Sequence, residues 1–204
     1  MSLLVRPVSA ADAPRLIRLF EASGSSCYCR YLHFQGDKND WLARTALEPE
    51  ENRRELEEGL ARGSEDGRGI VAEEGGEIVG WAKLTRALDV PKAYTQRYYV
   101  GLPVLRDDRD GTLLLGCFLV DPRARRRGVS RALVRGAIAE AARRGARHVE
   151  ALPRLVPPPA RDEELWTGVL GALEAEGFER VGGDDAYPVL RLPVADHGDE
   201  GQHR

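Results

Sequence analysis

With 204 residues, 42% of them hydrophobic, and a formal net charge of −3, the chain can bury one core of ordinary size and is too acidic overall to bind nucleic acid with its whole surface. No apolar run approaches the roughly 20 residues of a membrane span, and no leader-like charged and apolar pattern opens the sequence, so a cytoplasmic protein with no membrane partner is expected. Three cysteines, an odd number, make no disulfide framework and agree with a reducing compartment.

One domain over residues 1–194 is expected, followed by a polar, flexible tail over 195–204 that contains Gly198 and Gly201. The chain opens with a strand over 3–6, ended by Pro7, and a helix that Asp12 caps and that carries Pro14 in its first turn. Leu16, Ile17 and Phe20 give this helix its apolar side. An aromatic and cysteine-rich connection over 23–34 leads into acidic helical sequence over 40–60. Strands over 69–73 and 77–84 flank Gly75 and Gly76, a hairpin signal. Residues 86–111 hold Tyr94, Tyr98 and Tyr99 and are too long for a plain connection, so they read as an ordered flap.

The most apolar stretch, 113–120, reads as a buried strand because Gly111 and Asp121-Pro122 bound it. An arginine-rich turn follows, then a helix with Leu133, Ala137, Ile138 and Ala141 in one stripe, stopped by Gly145. Beyond it come a strand over 147–152, a proline-rich break over 153–159, a helix over 162–176, and strands over 178–181 and 189–192. Strands alternating with helices, with hairpins at both ends, predict a mixed α/β sheet rather than a doubly wound parallel one.

Chemistry concentrates in the turn between Arg123 and Arg131. A buried strand feeds a helix whose first backbone N–H groups lack internal partners, which together with the helix dipole favours an anion. Gly128 lets a bulky phosphate approach the backbone, and Ser130 adds a hydroxyl donor. The five arginines at 123, 125, 126, 127 and 131 also fit a solvated charged face or a local nucleic-acid contact.

Arg125, Gly128 and Ser130 resemble the signature of the GNAT N-acetyltransferase superfamily: Arg or Gln, two residues, Gly, one residue, then Gly or Ala. Ser130 is a small departure in the last position. The resemblance covers about 3–193, loosely over 23–65 and 86–111. It implies a GNAT-like mixed, mostly antiparallel sheet with a central splayed parallel strand pair and helices on both faces. Acetyl-CoA is then the cofactor, with CoA as product. Its diphosphate would lie on Arg125, Arg126, Arg127, Gly128, Val129, Ser130 and Arg131, and its pantetheine along the backbone of Phe118, Leu119 and Val120. An N–H near Leu119 would polarise the thioester carbonyl.

The same resemblance implies acetyl transfer to a primary amine of a small molecule or an exposed amino group, directly in a ternary complex, by a monomer or homodimer. A non-catalytic CoA-binding sensor or interaction module is the alternative. Leu173 stands where many members carry the tyrosine acid, and that departure keeps the alternative open. Glu150 is the leading candidate base, as a carboxylate beside the cofactor strand, and His33 the second. Tyr31, Tyr28 or a tyrosine of the flap would supply the acid. Cys27, Cys29 and His33 form too small a ligand set for structural zinc, the only other cysteine being Cys117, so no metal is expected. Acidic stretches near the presumed acceptor site hint at a cationic substrate.

Overall fold

Apolar residues on either side of Gly75 and Gly76, both at positive φ (59° and 85°), make the hairpin at the start of the sheet in a computed structural model that describes residues 3–106, 108–156 and 166–194. The strands are β1 (Leu4–Pro7), β2 (Gly69–Glu74), β3 (Glu77–Arg86), β4 (Thr112–Val120), β5 (His148–Ala151), β6 (Glu179–Gly183) and β7 (Pro188–Pro193). They form one sheet in the order β1-β2-β3-β4-β5-β7-β6. Every neighbouring pair is antiparallel except β4 and β5.

Among the described residues six α-helices accompany it: α1 (Ala13–Ala22), α2 (Lys38–Leu47), α3 (Pro49–Arg62), α4 (Pro91–Tyr94), α5 (Val129–Arg143) and α6 (Leu170–Glu174). On one face Leu133, Val134, Ala137 and Ala141 of α5 and Leu173 of α6 pack on Ile70, Ala72, Leu115 and Val149. On the other, Leu16 and Phe20 of α1 and Leu56 and Leu60 of α3 cover Val71 and Trp81. The flap shields the neighbouring part of that face, with Val90, Tyr94 and Tyr99 over Leu114, Leu152 and Val189. The fold is thus the mixed, mostly antiparallel sheet with a central parallel pair and helices on both faces. None of the described helices is long and apolar enough to cross a membrane.

The position of α5 depends on one small residue beneath it. A Cβ on Gly80 of β3 would lie 2.5 Å from Val129 Cγ1, so glycine there lets the first turn of α5 sit against the sheet.

Three expectations need correction. The acidic segment is two helices, because Glu48 leaves helical geometry and Pro49 starts α3 at its first position, where a missing N–H costs nothing. Asp12 stands at the N-cap of α1 but its side chain accepts no capping bond from a backbone N–H of that helix. Its carboxylate instead accepts from Ser9 N–H at 2.8 Å and from both Arg6 Nη atoms at 2.7 Å. Of the helix over 162–176, residues up to 165 lie outside the described ones, and Gly168 at φ 119° followed by extended Val169 keeps helix out until Leu170. The tail over 195–204 and residues 157–159 of the proline-rich break also lie outside the described residues.

Candidate functional site

The site begins with a defect in β4. Trp81 lies opposite Leu119 and Lys83 opposite Gly116, so both Cys117 and Phe118 face Ala82. Cys117 takes up the extra residue at φ 51°, an uncommon conformation for a side chain that size. The bulge inverts the strand's parity. Leu113 and Leu115 point to α5 before it and Phe118 points there after it, while Cys117 and Leu119 turn to the α1 face.

Bending also opens the sheet. β5 pairs with β4 only at Thr112–Leu115, and Pro153, just beyond Leu152, has no N–H to extend the ladder. Gly116–Val120 therefore present a free edge toward the splay. Leu119 pairs with Trp81, and Asp121 N–H donates to Val79 O at 2.9 Å, so by alternation the N–H groups of Phe118 and Val120 point to the open side. Phe118 N–H donates there to Trp166 O at 2.6 Å. Leu119 turns its N–H side to β3, so the open-side N–H next to it is that of Phe118.

The arginine turn follows at once. Asp121 accepts from Arg123 N–H at 2.8 Å and holds the same residue's guanidinium. Arg126 is at φ 61°, and Gly128, at φ 80°, is the N-cap of α5. A Cβ on Gly128 would meet nothing within 4 Å, so the space above the turn is open. Ala132 N–H is bonded to Gly128 O, which leaves the amides before it facing outward. A cavity of about 340 Å³ lies here, and of the residues expected to hold the cofactor all but Arg127 line it. Arg127 swings away to Glu74 at 2.7 Å. Arg131 and Arg135 share Glu176, so part of the arginine knot is neutralised by acids.

Two more cavities continue along β4. One of about 500 Å³ includes Phe20, Cys29, Tyr31, Trp41, Cys117 and Trp166 in its wall. Another, of about 170 Å³, lies over Leu114–Cys117 and shares Tyr31, Cys117 and Trp166 with it. The Tyr31 ring meets Trp41 and Trp166 edge-on, at 5.4 Å and 6.0 Å between centroids. Lys92 Nζ lies 4.7 Å from the Tyr31 centroid and 5.1 Å from that of Phe34.

Of the candidate catalytic residues, Tyr31 lines both cavities and Tyr98 of the flap lines the smaller one, while Glu150 and His33 line neither. Glu150 is fully buried beneath the flap and accepts from Arg191 Nη2 at 2.7 Å and Nε at 3.1 Å. Its partner is therefore Arg191 of β7 rather than Arg147. Burial, then Lys83 and Arg30, pushes the His33 imidazole down to about 3. Its Nε2 is buried without a hydrogen-bond partner, and it lines none of the three cavities. Tyr28 packs against Phe20, Tyr94 lies under Arg109, and Tyr98 lines the smaller cavity while stacking on Tyr187. Leu173 is fully buried in the α5-side core.

Sequence reasoning missed Lys83, which is 1% exposed and donates from Nζ to Asp66 O at 2.7 Å. Burial lowers its pKa. Burial raises the Cys29 thiol, but a hydrogen bond with Cys117 and the Lys83 charge more than offset this and bring it to about 7. Burial pushes Cys27 up to about 11. Among the described residues no group of three or more His, Cys, Asp or Glu side chains is arranged to hold a metal ion. Of the acids of α3, Glu51 and Glu58 bind Arg54 and Glu57 binds Arg53 of the same helix, while Glu55 holds Arg30 and Arg44.

Comparison with solved structures supports the same architecture. The chain is similar to an N-acetyltransferase from Staphylococcus aureus Mu50 (TM-score 0.52, 16% identity, 96% of this chain and 100% of that one). It is similar to the PaiA N-acetyltransferase of Thermoplasma acidophilum in complex with coenzyme A (0.53, 11%, 95% and 99%). A third is a GNAT family acetyltransferase from Brucella melitensis in complex with acetyl-CoA (0.51, 17%, 98% and 94%). A search of curated protein sequences gave no significant match. Residues 36–157, more than half of the chain, match the acetyltransferase (GNAT) family, and the chain belongs to that family.

Proposed function

We propose that the chain moves an acetyl group from acetyl-CoA to a primary amine of a small molecule or exposed amino group, by direct attack in a ternary complex. The observation that carries this is the continuity of the β4 edge that β5 leaves unpaired at Phe118–Val120 with the open turn at Gly128. Acetyl-CoA, when bound, supplies a thioester carbonyl open to attack by an amine. Arg125, Arg126 and the outward amides of Val129 and Ser130 would hold the diphosphate, with the helix dipole behind them. Phe118 N–H and the Val120 backbone would hold the pantetheine amides as a further strand does. The Phe118 N–H also fits the carbonyl oxygen, where a fixed donor stabilises developing charge.

No protein group is assigned to protonate the departing thiolate. Leu173 is apolar and buried, so the proton shed by the amine is left for the sulfur, and orientation supplies most of the acceleration. Incubating the protein with acetyl-CoA and an amine library, with CoA formation followed by chromatography, tests this. Amine-dependent release is expected. Binding of acetyl-CoA without release by any amine favours the non-catalytic CoA-binding module.

A further inference from the structure

We propose that the acceptor is a weakly basic aromatic primary amine, an arylamine rather than a polyamine or a lysine side chain, with its ring among Tyr31, Trp41 and Trp166. This rests on the chain being an acetyl-CoA-dependent N-acetyltransferase.

Three observations lead there. First, among the described residues lining the two cavities beyond the cofactor turn, Arg125 is the only Arg, Lys, Asp or Glu side chain, and it belongs to that turn. No described residue of either wall carries a carboxylate, so a bound ammonium would find no carboxylate counter-ion among them. Second, the aromatic rings do not form a free cage for a cation. Lys92 Nζ already sits 4.7 Å from the Tyr31 centroid and 5.1 Å from that of Phe34, and Arg44 lies 5.8 Å from the Phe34 centroid. A second cation would be repelled.

Third, the carboxylate and the imidazole offered as bases stand elsewhere. Glu150 is bound to Arg191 beneath the flap, and the buried His33 lines neither cavity. Cys29 and Cys117 also line the larger cavity, but Cys29 is only 1% exposed and its ionisation is tied to the buried Lys83 charge. An amine that needs no base suits such a site, and an aromatic amine is already neutral near pH 7 because its lone pair is delocalised into the ring. Its flat ring matches the edge-on walls of Tyr31 with Trp41 and Trp166. The step balances without a protein base: the C–N bond forms, the C–S bond breaks, and the proton lost by nitrogen goes to the CoA sulfur.

The test uses the full chain at saturating acetyl-CoA with 4-methylaniline, phenethylamine, spermidine and a lysine-containing peptide, CoA being measured by chromatography. 4-Methylaniline is expected to give the highest kcat/KM by about tenfold or more. Trp41→Ala is expected to lower that value while the acetyl-CoA-induced rise in Tm stays. Gln96→Glu, which puts a carboxylate into the smaller cavity, is expected to shift preference toward phenethylamine. Faster turnover of phenethylamine, spermidine or the peptide by the parent overturns the arylamine assignment. So does an acetyl-CoA-dependent rise in Tm with no turnover of 4-methylaniline. Absence of any rise in Tm removes the acetyltransferase assignment itself, and this inference with it.

Discussion

The N–H of Phe118, on the edge of β4 that β5 leaves unpaired, donates to the carbonyl of Trp166 at 2.6 Å. A donor in this position is aimed and shielded before any ligand arrives. Pantetheine lying along β4 has to take the place of that carbonyl. Addition of acetyl-CoA is therefore expected to shift the Phe118 amide resonance and to change Trp166 emission, with Trp166→Phe removing the fluorescence change. An unmoved Phe118 amide at saturating ligand would place pantetheine elsewhere.

Gly80 and Val129 set the height of the cofactor turn above the sheet. Because a Cβ at Gly80 falls 2.5 Å from Val129 Cγ1, Gly80→Ala is expected to lower stability by about 1–3 kcal/mol and to weaken acetyl-CoA binding. Gly80→Ala with Val129→Ala should recover part of both losses. Chemical denaturation and calorimetry of the two variants check the coupling; purely additive effects would mean that the contact is not what fixes the turn.

Glu150 and Arg191 form a buried pair with a structural role. Arg191→Met leaves a buried carboxylate unpaired and is expected to cost about 3–5 kcal/mol, with much of that regained when Glu150→Gln is added. Glu150→Gln alone should keep kcat within a few-fold for an amine that is neutral at the assay pH. Loss of turnover at full cofactor affinity, restored at high pH, would instead make Glu150 the base.

His33 links stability to pH. Its folded value is about 3, against about 6.5 in the unfolded chain, so between these values the unfolded state binds more protons. The stabilisation is complete above about pH 6.5 and is lost as pH falls toward 3. His148 is lowered too, mainly by burial and then by Arg191 and Arg147, and adds in the same direction. Carboxylates titrate lower and Cys29, at about 7, higher, so urea melts between pH 6 and 5 isolate the histidines. His33→Gln is expected to flatten the slope there; an unchanged slope would put His33 in solvent.

Much of this is legible in the amino-acid sequence where one residue forces one geometry. Gly75-Gly76 closes the hairpin, Gly145 ends α5, and the order Val120, Pro122, Gly128 places a strand, a turn and a helix start at the cofactor cavity. The bulge is not legible, because an unbroken apolar run from Leu113 to Val120 looks alike on both faces and hides the parity change at Cys117. Nor is the Glu150 and Arg191 pair, which joins strands far apart in the chain. Lys83 reads as a solvent-facing strand residue, since only the tertiary arrangement of Cys29, Asp66 and Cys117 around it reveals a fully enclosed charge.

The central claim is that the Gly128 turn holds the diphosphate of acetyl-CoA, and a thermal melt of the parent and Gly128→Glu, each with and without acetyl-CoA, tests it most directly. At about 100 times its dissociation constant the ligand stabilises by about 2.7 kcal/mol, or roughly 5 to 10 °C for a chain of this size. The parent is expected to show that rise, and the variant, with a carboxylate where the phosphates should lie, to show none. An equal rise in both, or none in the parent, would contradict the assignment of this turn.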